Sequence, residues 1–190
     1  MTRSGRLFRD GLTTCALLAL LALLALKLNN RPELVQTGQF YVVDGDTLAQ
    51  GSERFRLRGI DAPEYRQQCQ RNNAGWACGE EARRALDRLI KAGSPECRGS
   101  EKDRYGRLLV ICKTGDVDIN AAMVRSGMAV SYGNYAAEEA QAREVKAGLW
   151  AGEFERPRDY RREEQVEHAS GGDPLGGLAD YLRKLVGWGQ

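Results

Sequence analysis

The stretch GQFYVVDGDTLAQGSERFRLRGI, beginning at Gly38, constrains the fold of this chain more than any other segment. It packs three β-rich runs, Gln39 to Val43, Thr47 to Gln50 and Arg54 to Ile60, into one short span, punctuated only by Asp-Gly-Asp and Gly-Ser. Asp-Gly between apolar residues is a strong short hairpin signal, so the runs read as a three-stranded meander. In the third run Phe55 and Leu57 alternate with Arg56 and Arg58, which places the apolar pair inward and the arginines on the solvent face. Pro63 then blocks a strand and opens the loop DAPEYRQQ.

Helical periodicity follows. From Gly79, GEEARRALDRLIKAG spaces Ala82, Leu86, Leu89 and Ile90 along one face and closes on Lys91 and Gly93. A second β pair, around Glu96 to Gly99 and Arg107 to Lys113, precedes two further helical stretches, VDINAAMVRSG and NYAAEEAQAREVKAGLW. Five strands with helices between and after them define an α+β class. The expected fold is a five-stranded β-barrel of the OB type with about three packed helices. A chain of 190 residues suits one such domain, assigned to residues 38–154.

An N-terminal hydrophobic helix is expected ahead of it. Residues 1–30 combine MTRSGRLFRD, with three arginines, and GLTTCALLALLALLAL (11–26), which carries no charge before Lys27. That is the pattern of an export signal or anchor. Sixteen helical residues reach about 24 Å, short of the ~30 Å hydrocarbon core but long for a cleavable signal. No Ala-x-Ala site follows the run, which favours an uncleaved anchor that places the C-terminal domain outside the cytoplasm; a secreted or periplasmic cleaved form is the alternative. Residues 31–37 read as a linker. Residues 155–190, charge-dense and poor in apolar side chains, read as an exposed, partly disordered tail without chemistry. Leu178, Leu182, Leu185 and Trp188 sit there at helical spacing, open to docking on the barrel, a partner or the membrane surface, with docking on the domain itself or simple fraying favoured over membrane contact because two glycines weaken the helix.

The charge balance excludes a globally basic nucleic-acid binder. The formal net charge is +2, but Arg3, Arg6, Arg9 and Lys27 lie in the leader with Asp10, and the remainder holds 24 basic and 25 acidic residues. Any attraction for polyanions must come from local placement of arginines. Cysteine usage agrees with export: besides Cys15 there are four, and their spacing favours Cys69–Cys78 and Cys97–Cys112 disulfides among three connectivities. Zinc is the weaker reading, because there is no Cys-x-x-Cys pair and the only histidine, His168, is remote.

Four fragments could carry chemistry: DGDT (44–47), RLRGIDAPE (56–64), DRYGR (103–107) and the terminal GLW (148–150). Each alone has a structural explanation as a turn, a strand face or a cap. In this order and spacing they resemble the thermonuclease family, the staphylococcal nuclease-like calcium-dependent phosphodiesterases, over about Gln39 to Trp150. The resemblance implies a hydrolase cleaving DNA and RNA at the bond to the 5′ oxygen and leaving 3′-phosphate ends. It implies that Asp46, Asp61 and the backbone carbonyl of Ala62 hold Ca²⁺, with Asp44 nearby as a weaker, water-mediated candidate. Ala62 stands where the family often has threonine, which a backbone ligand tolerates. By the same resemblance Glu64 is the general base or orienter of the attacking water, and Arg56 and Arg107 are the phosphate clamp. These types make chemical sense: hard oxygens suit Ca²⁺, a carboxylate accepts a proton, and planar guanidinium forks bind phosphate oxygens in pairs. Tyr105, Tyr132 and Tyr135 are the candidates for stacking on a nucleotide. The loop Gln67 to Gly79 lies outside these motifs and could shape access.

Two other classes fit parts of the pattern. One is a non-catalytic nucleic-acid-binding OB module, against which the retention of all five charged motif residues argues. The other is an envelope domain that binds a protein; no obligate protein partner is inferred. Membrane contact would run through residues 11–26.

Overall fold

The meander forms where the β-rich runs lie, and its Asp-Gly bend becomes the turn between two antiparallel strands. The computed structural model describes residues 3–29 and 32–170. Helix α1 (Arg3–Asn29) leads into strand β1 (Leu34–Thr37), then β2 (Tyr41–Val42), β3 (Thr47–Gln50), β4 (Glu53–Leu57) and the short β5 (Ile60–Asp61). A small hairpin of β6 (Cys69–Arg71) and β7 (Ala74–Trp76) precedes α2 (Cys78–Lys91), β8 (Pro95–Lys102), β9 (Leu108–Thr114) and β10 (Val117–Asp118). Then come α3 (Ile119–Arg125), β11 (Val130–Ser131), α4 (Ala136–Glu144), a 3₁₀ turn (Gly148–Ala151) and α5 (Pro157–Ser170).

The main sheet is mixed and has seven strands rather than five. Its order is β1-β8-β9-β4-β3-β2, with β10 added beside β9 and β4 running parallel to β9. Among the described residues β1 and β2 do not pair, so the sheet is a curled half-barrel and not a closed five-stranded ring. The extra strands explain the difference. β1 occupies residues expected to be linker and pairs with β8 from Leu34↔Gly99 to Thr37↔Glu96. Its side chains are mostly exposed, so only backbone pairing makes it a strand, and no apolar alternation announces it. The run Arg54 to Ile60 also divides. Gly59 turns at φ 77°, and the chain then joins β11 instead, with Asp61 opposite Val130.

The core lies between the concave sheet and α2 and α3. Val42, Leu48, Phe55, Leu57 and Val110 pack against Leu86 and Ile90 of α2 and Met123 and Val124 of α3. Ala82, Leu86 and Ile90 are buried as their spacing requires, with Leu89 at the margin. Cys97 and Cys112 face each other across β8 and β9 and form a disulfide. Cys69 and Cys78 form the second, at the root of the β6–β7 hairpin, in a small cluster with Val130 and Leu149. Cys15 is free and exposed. The sulfurs are therefore committed to each other, which removes the zinc alternative.

The stretch after Trp150 differs from the expected disordered tail. Gln70 and Glu153 exchange backbone hydrogen bonds of 2.8 and 3.1 Å, and Trp150 meets Phe154 edge to face at 5.0 Å. Residues 152–156 are thereby latched onto the β6–β7 hairpin, and α5 projects from that latch. Leu178, Leu182, Leu185 and Trp188 lie outside the described residues. In α1 the leucines from Leu12 to Leu26 are exposed. Among the described residues no helix is long and apolar enough to cross a membrane.

Candidate active site

The turn between β2 and β3 carries the first acidic group. Val43 N–H donates to the Thr47 carbonyl at 2.9 Å, and the Asp46 N–H donates to Asp44 Oδ1 at 3.0 Å. Gly45 sits between them because nothing larger fits: a Cβ there would stand 2.6 Å from the Ala62 Cβ and 2.8 Å from that of Ala82. The close approach brings the DGDT turn against the DAPE loop. Ala62 N–H then donates to Asp46 Oδ2 at 2.9 Å. Ala62 thus reaches this cluster through its amide.

Register places the second group. Thr47 pairs with Arg56 across β3 and β4, so the Arg56 side chain lies over the turn, hydrogen-bonded to Asp46 and at 2.7 Å to Asp61. Buried Asn120 holds the following bend by donating to the Arg58 and Val110 carbonyls, at 2.9 and 3.1 Å. Glu64 is seated by its backbone. Its carbonyl would lie 1.8 Å from a Cβ on Gly79, so only glycine allows α2 to start there. Its N–H donates to Gln67 Oε1 at 3.2 Å, and the Gln67 side chain in turn donates to the Glu155 carbonyl at 2.7 Å.

A residue beyond the motifs completes the row. Arg161 of α5 donates through Nη1 to Glu64 Oε1 at 2.7 Å and through Nη2 to both Asp61 oxygens at 2.9 and 3.0 Å. Asp46, Arg56, Asp61, Arg161 and Glu64 therefore alternate in sign along one line. Burial pushes the Asp46 carboxyl up to about 7, against the pull of Arg56, while Asp44 and Asp61 add to the rise. Burial opposes the charge on Arg56, but Asp46 and Asp61 prevail and hold its pKa above the ordinary value. Arg161 is likewise raised despite burial, by Glu64 and Asp61.

Arg107 and the tyrosines are placed differently. Arg107 lines the same groove but is bound to Asp103, at 2.8 Å through Nε and 2.7 Å through Nη2, and lies over the Tyr105 ring. Burial opposes it, yet the bonds from Arg107 and from two backbone amides keep the Asp103 carboxyl below its usual range. Tyr105 and Tyr132 are both 64 % exposed and line the groove. Tyr135 does not: it is packed against the core, and its hydroxyl donates to Asp118 at 3.4 Å. Asp44 lines the groove as well.

Two of these residues escape sequence reasoning. Gln67 has no motif, and only its complete burial reveals it. Arg161 sits in a charge-dense segment whose composition resembles a solvated surface, although Arg158, Arg161, Arg162 and Gln165 follow i, i+3, i+4, i+7 spacing.

A curled OB-type sheet carrying buried carboxylates, an arginine between them and an open cationic groove defines a class of domain built to hold an anionic ligand beside an acidic centre. The comparisons make the class specific. The family described as Staphylococcal nuclease homologue matches residues 54–152, more than half of the chain, and the protein belongs to that family. An uncharacterized endonuclease of Haemophilus influenzae is 33% identical over 142 residues, covering 67% of this chain and 74% of its own length. Micrococcal nuclease of Shigella flexneri is 33% identical over 131 residues, 58% of this chain and 70% of that protein. The succinoglycan biosynthesis protein ExoI of Rhizobium meliloti is 38% identical over 121 residues, spanning 60% of this chain and 63% of ExoI, less than two thirds of its length.

Proposed function

We propose that the protein is an exported nuclease that hydrolyses phosphodiester bonds in DNA and RNA with Ca²⁺, breaking the bond to the 5′ oxygen and leaving 3′-phosphate ends. The observation that carries the reading is the alternating row from Asp46 to Glu64, in which Arg56, Asp61, Arg161 and Glu64 line an arginine-rich groove and Asp46 is buried behind Arg56. Family membership and the nuclease relatives support it.

The residues fit a hard divalent cation. Asp46 and Asp61 are 3% and 4% exposed and share Arg56, and Arg161 also holds both Asp61 oxygens, so guanidinium groups already supply positive charge where a cation would sit. The donors are carboxylate oxygens, which suit Ca²⁺ with water completing its shell. Asp46 and Asp61 would hold the ion, with the Ala62 carbonyl and a water on Asp44 as further ligands; bound, it supplies charge stabilisation at the phosphate.

The chain's own groups do the rest. Glu64 uses Oε1 for Arg161, which leaves Oε2 to accept a proton from a water and hold it in line. Arg56, whose Nη1 and Nη2 hold Asp46 and Asp61, would turn a remaining N–H to a non-bridging oxygen, where added charge in the transition state strengthens the bond. Arg107 would release Asp103, or share it, to clamp the same phosphate. Export is supported by the two disulfides and the apolar leader.

The test is cleavage of single-stranded DNA by the full chain in a metal series. Activity with Ca²⁺ that EGTA abolishes, and that Glu64→Gln lowers by orders of magnitude with binding retained, is expected. Full activity of Glu64→Gln would remove the catalytic assignment, and binding without cleavage in every metal would make the protein a binding module.

A further inference from the structure

A helix that lies across its own domain ordinarily turns an apolar stripe toward it. Helix α5 does the reverse. Arg158, Arg161, Arg162 and Gln165, one face at i, i+3, i+4 and i+7, line a groove of about 1080 Å³ whose opposite side is the OB sheet. Of the acidic residues of the helix, Asp159, Glu163 and Glu164 line none of it. This face is kept from packing, and it is held in place from both ends of the groove floor. Arg161 is pinned to Asp61 and Glu64, while the root of α5 is latched by Gln67 and the β6–β7 hairpin.

The groove is strongly cationic in a domain that is close to neutral. Seven arginines line it against four carboxylates. Arg158 makes no ion pair among the described residues, and Arg162 has only Asp159 of its own helix, at 3.2 Å, in an exposed pair of little strength. Both side chains are exposed. Across the groove stand exposed Tyr105 and Tyr132, with Arg104 and Arg107 over the Tyr105 ring at 4.8 and 5.5 Å. Guanidinium groups one helical turn apart on one wall and exposed tyrosines on the other suit a strand whose phosphates and unpaired bases point in opposite directions.

We infer that α5 is a second wall of the substrate groove, outside the family-matched segment, and that Arg158 and Arg162 bind backbone phosphates of a single-stranded polynucleotide flanking the one at Arg56. This rests on the nuclease reading. Arg161 anchors the wall, and its two neighbours extend the grip along the strand. A duplex gains less, because its bases are not free to meet the tyrosines.

The experiment uses the full chain and a labelled twelve-residue deoxythymidine oligomer. Its Kd is measured in EGTA between 50 and 200 mM salt, and its cleavage is measured in Ca²⁺. Arg158→Ala/Arg162→Ala is compared with Arg88→Ala/Lys91→Ala, a charge-matched change on the exposed side of α2, and with Arg158→Lys/Arg162→Lys. The inference expects Kd and KM to rise about tenfold in the first variant alone, with the salt slope shallower by about 1.4, as for two lost single-strand phosphate contacts. It expects kcat to stay within twofold and the lysine variant to recover most of the affinity. Unchanged Kd and slope would overturn it. So would an equal loss in the α2 variant, which would make the effect one of net charge, or a fall in kcat at constant KM. Tighter binding or faster turnover would also overturn it, by showing that α5 obstructs the groove. If the wild-type chain neither binds nor cuts the oligomer, the nuclease reading itself fails; if it cuts while the wall variant behaves as wild type, only the role of α5 fails.

Discussion

Replacing Asp46 by asparagine in metal-free protein should change stability in a pH-dependent way that the burial of this group dictates. The carboxyl titrates near 3.8 when unfolded and near 7 in the folded chain, chiefly through burial and despite Arg56. Between those values the folded state keeps a proton that the unfolded state has lost, so this group's contribution to stability falls as pH rises through that window. Linkage puts its penalty, relative to a neutral side chain, at about 1 kcal/mol at pH 4.5 and about 4 kcal/mol at pH 8. The asparagine has a cost of its own. Asp46 accepts from Arg56, from Ala62 N–H at 2.9 Å and from the Thr47 hydroxyl at 3.1 Å, and an amide nitrogen turned toward any of these loses about 1–2 kcal/mol. Asp46→Asn should therefore match the wild type near pH 4.5 and exceed it by roughly 2–3 kcal/mol at pH 8, a rise in Tm of roughly 5–10 °C. Thermal unfolding by circular dichroism with EGTA present at both pH values reads the difference. A shift of the same size and sign at the two pH values, or a less stable variant at pH 8, would refute the account of Asp46 as a carboxylate raised by burial despite Arg56.

Three further changes probe how the site is held. Gln67→Ala strands the Glu64 N–H and the Glu155 carbonyl, and should cost roughly 2–3 kcal/mol by urea unfolding; a loss below about 0.5 kcal/mol would show that the bridge is not needed. Gly45→Ala drives a methyl into Ala62 and Ala82 and should cost about 1–3 kcal/mol, partly recovered by adding Ala82→Gly in a double-mutant cycle. Replacing both Cys97 and Cys112 by alanine opens a link of sequence separation 15 and should lower stability by about 3 kcal/mol, with the metal-free site otherwise unchanged.

The legible part of the fold is the part whose side chains carry the pattern. β9 alternates buried and less buried positions from Leu108 to Cys112, β4 does so from Phe55 to Leu57, and α2 buries Ala82, Leu86 and Ile90, so periodicity locates them, whereas β3 is buried from Thr47 to Ala49 and is located by its β-favouring run and the turn before it. β1 has no such alternation, and its strand character comes from pairing with β8. The split between β4 and β5 turns on Gly59 and on the distant β11, neither visible from a local window. For the site, the motifs nominate Asp46, Arg56, Asp61 and Glu64, and these four share one charged row. Arg107 was nominated with them, yet it stands apart on Asp103, because its own turn supplies a nearer carboxylate.

What the sequence alone determined is the acidic turn, the arginine opposite it, the pairing of the cysteines and the α+β class, because each rests on spacing within a short segment or on few combinations. Tertiary structure decided where the second half of the groove comes from. Arg161 lies 100 residues after Asp61 and meets it only because the Gln67 bridge and the 152–156 latch fold α5 back over the site. A polar helix reads as solvated surface when taken alone; facing buried Asp61 and half-buried Glu64, its Arg161 has partners that no local pattern can announce.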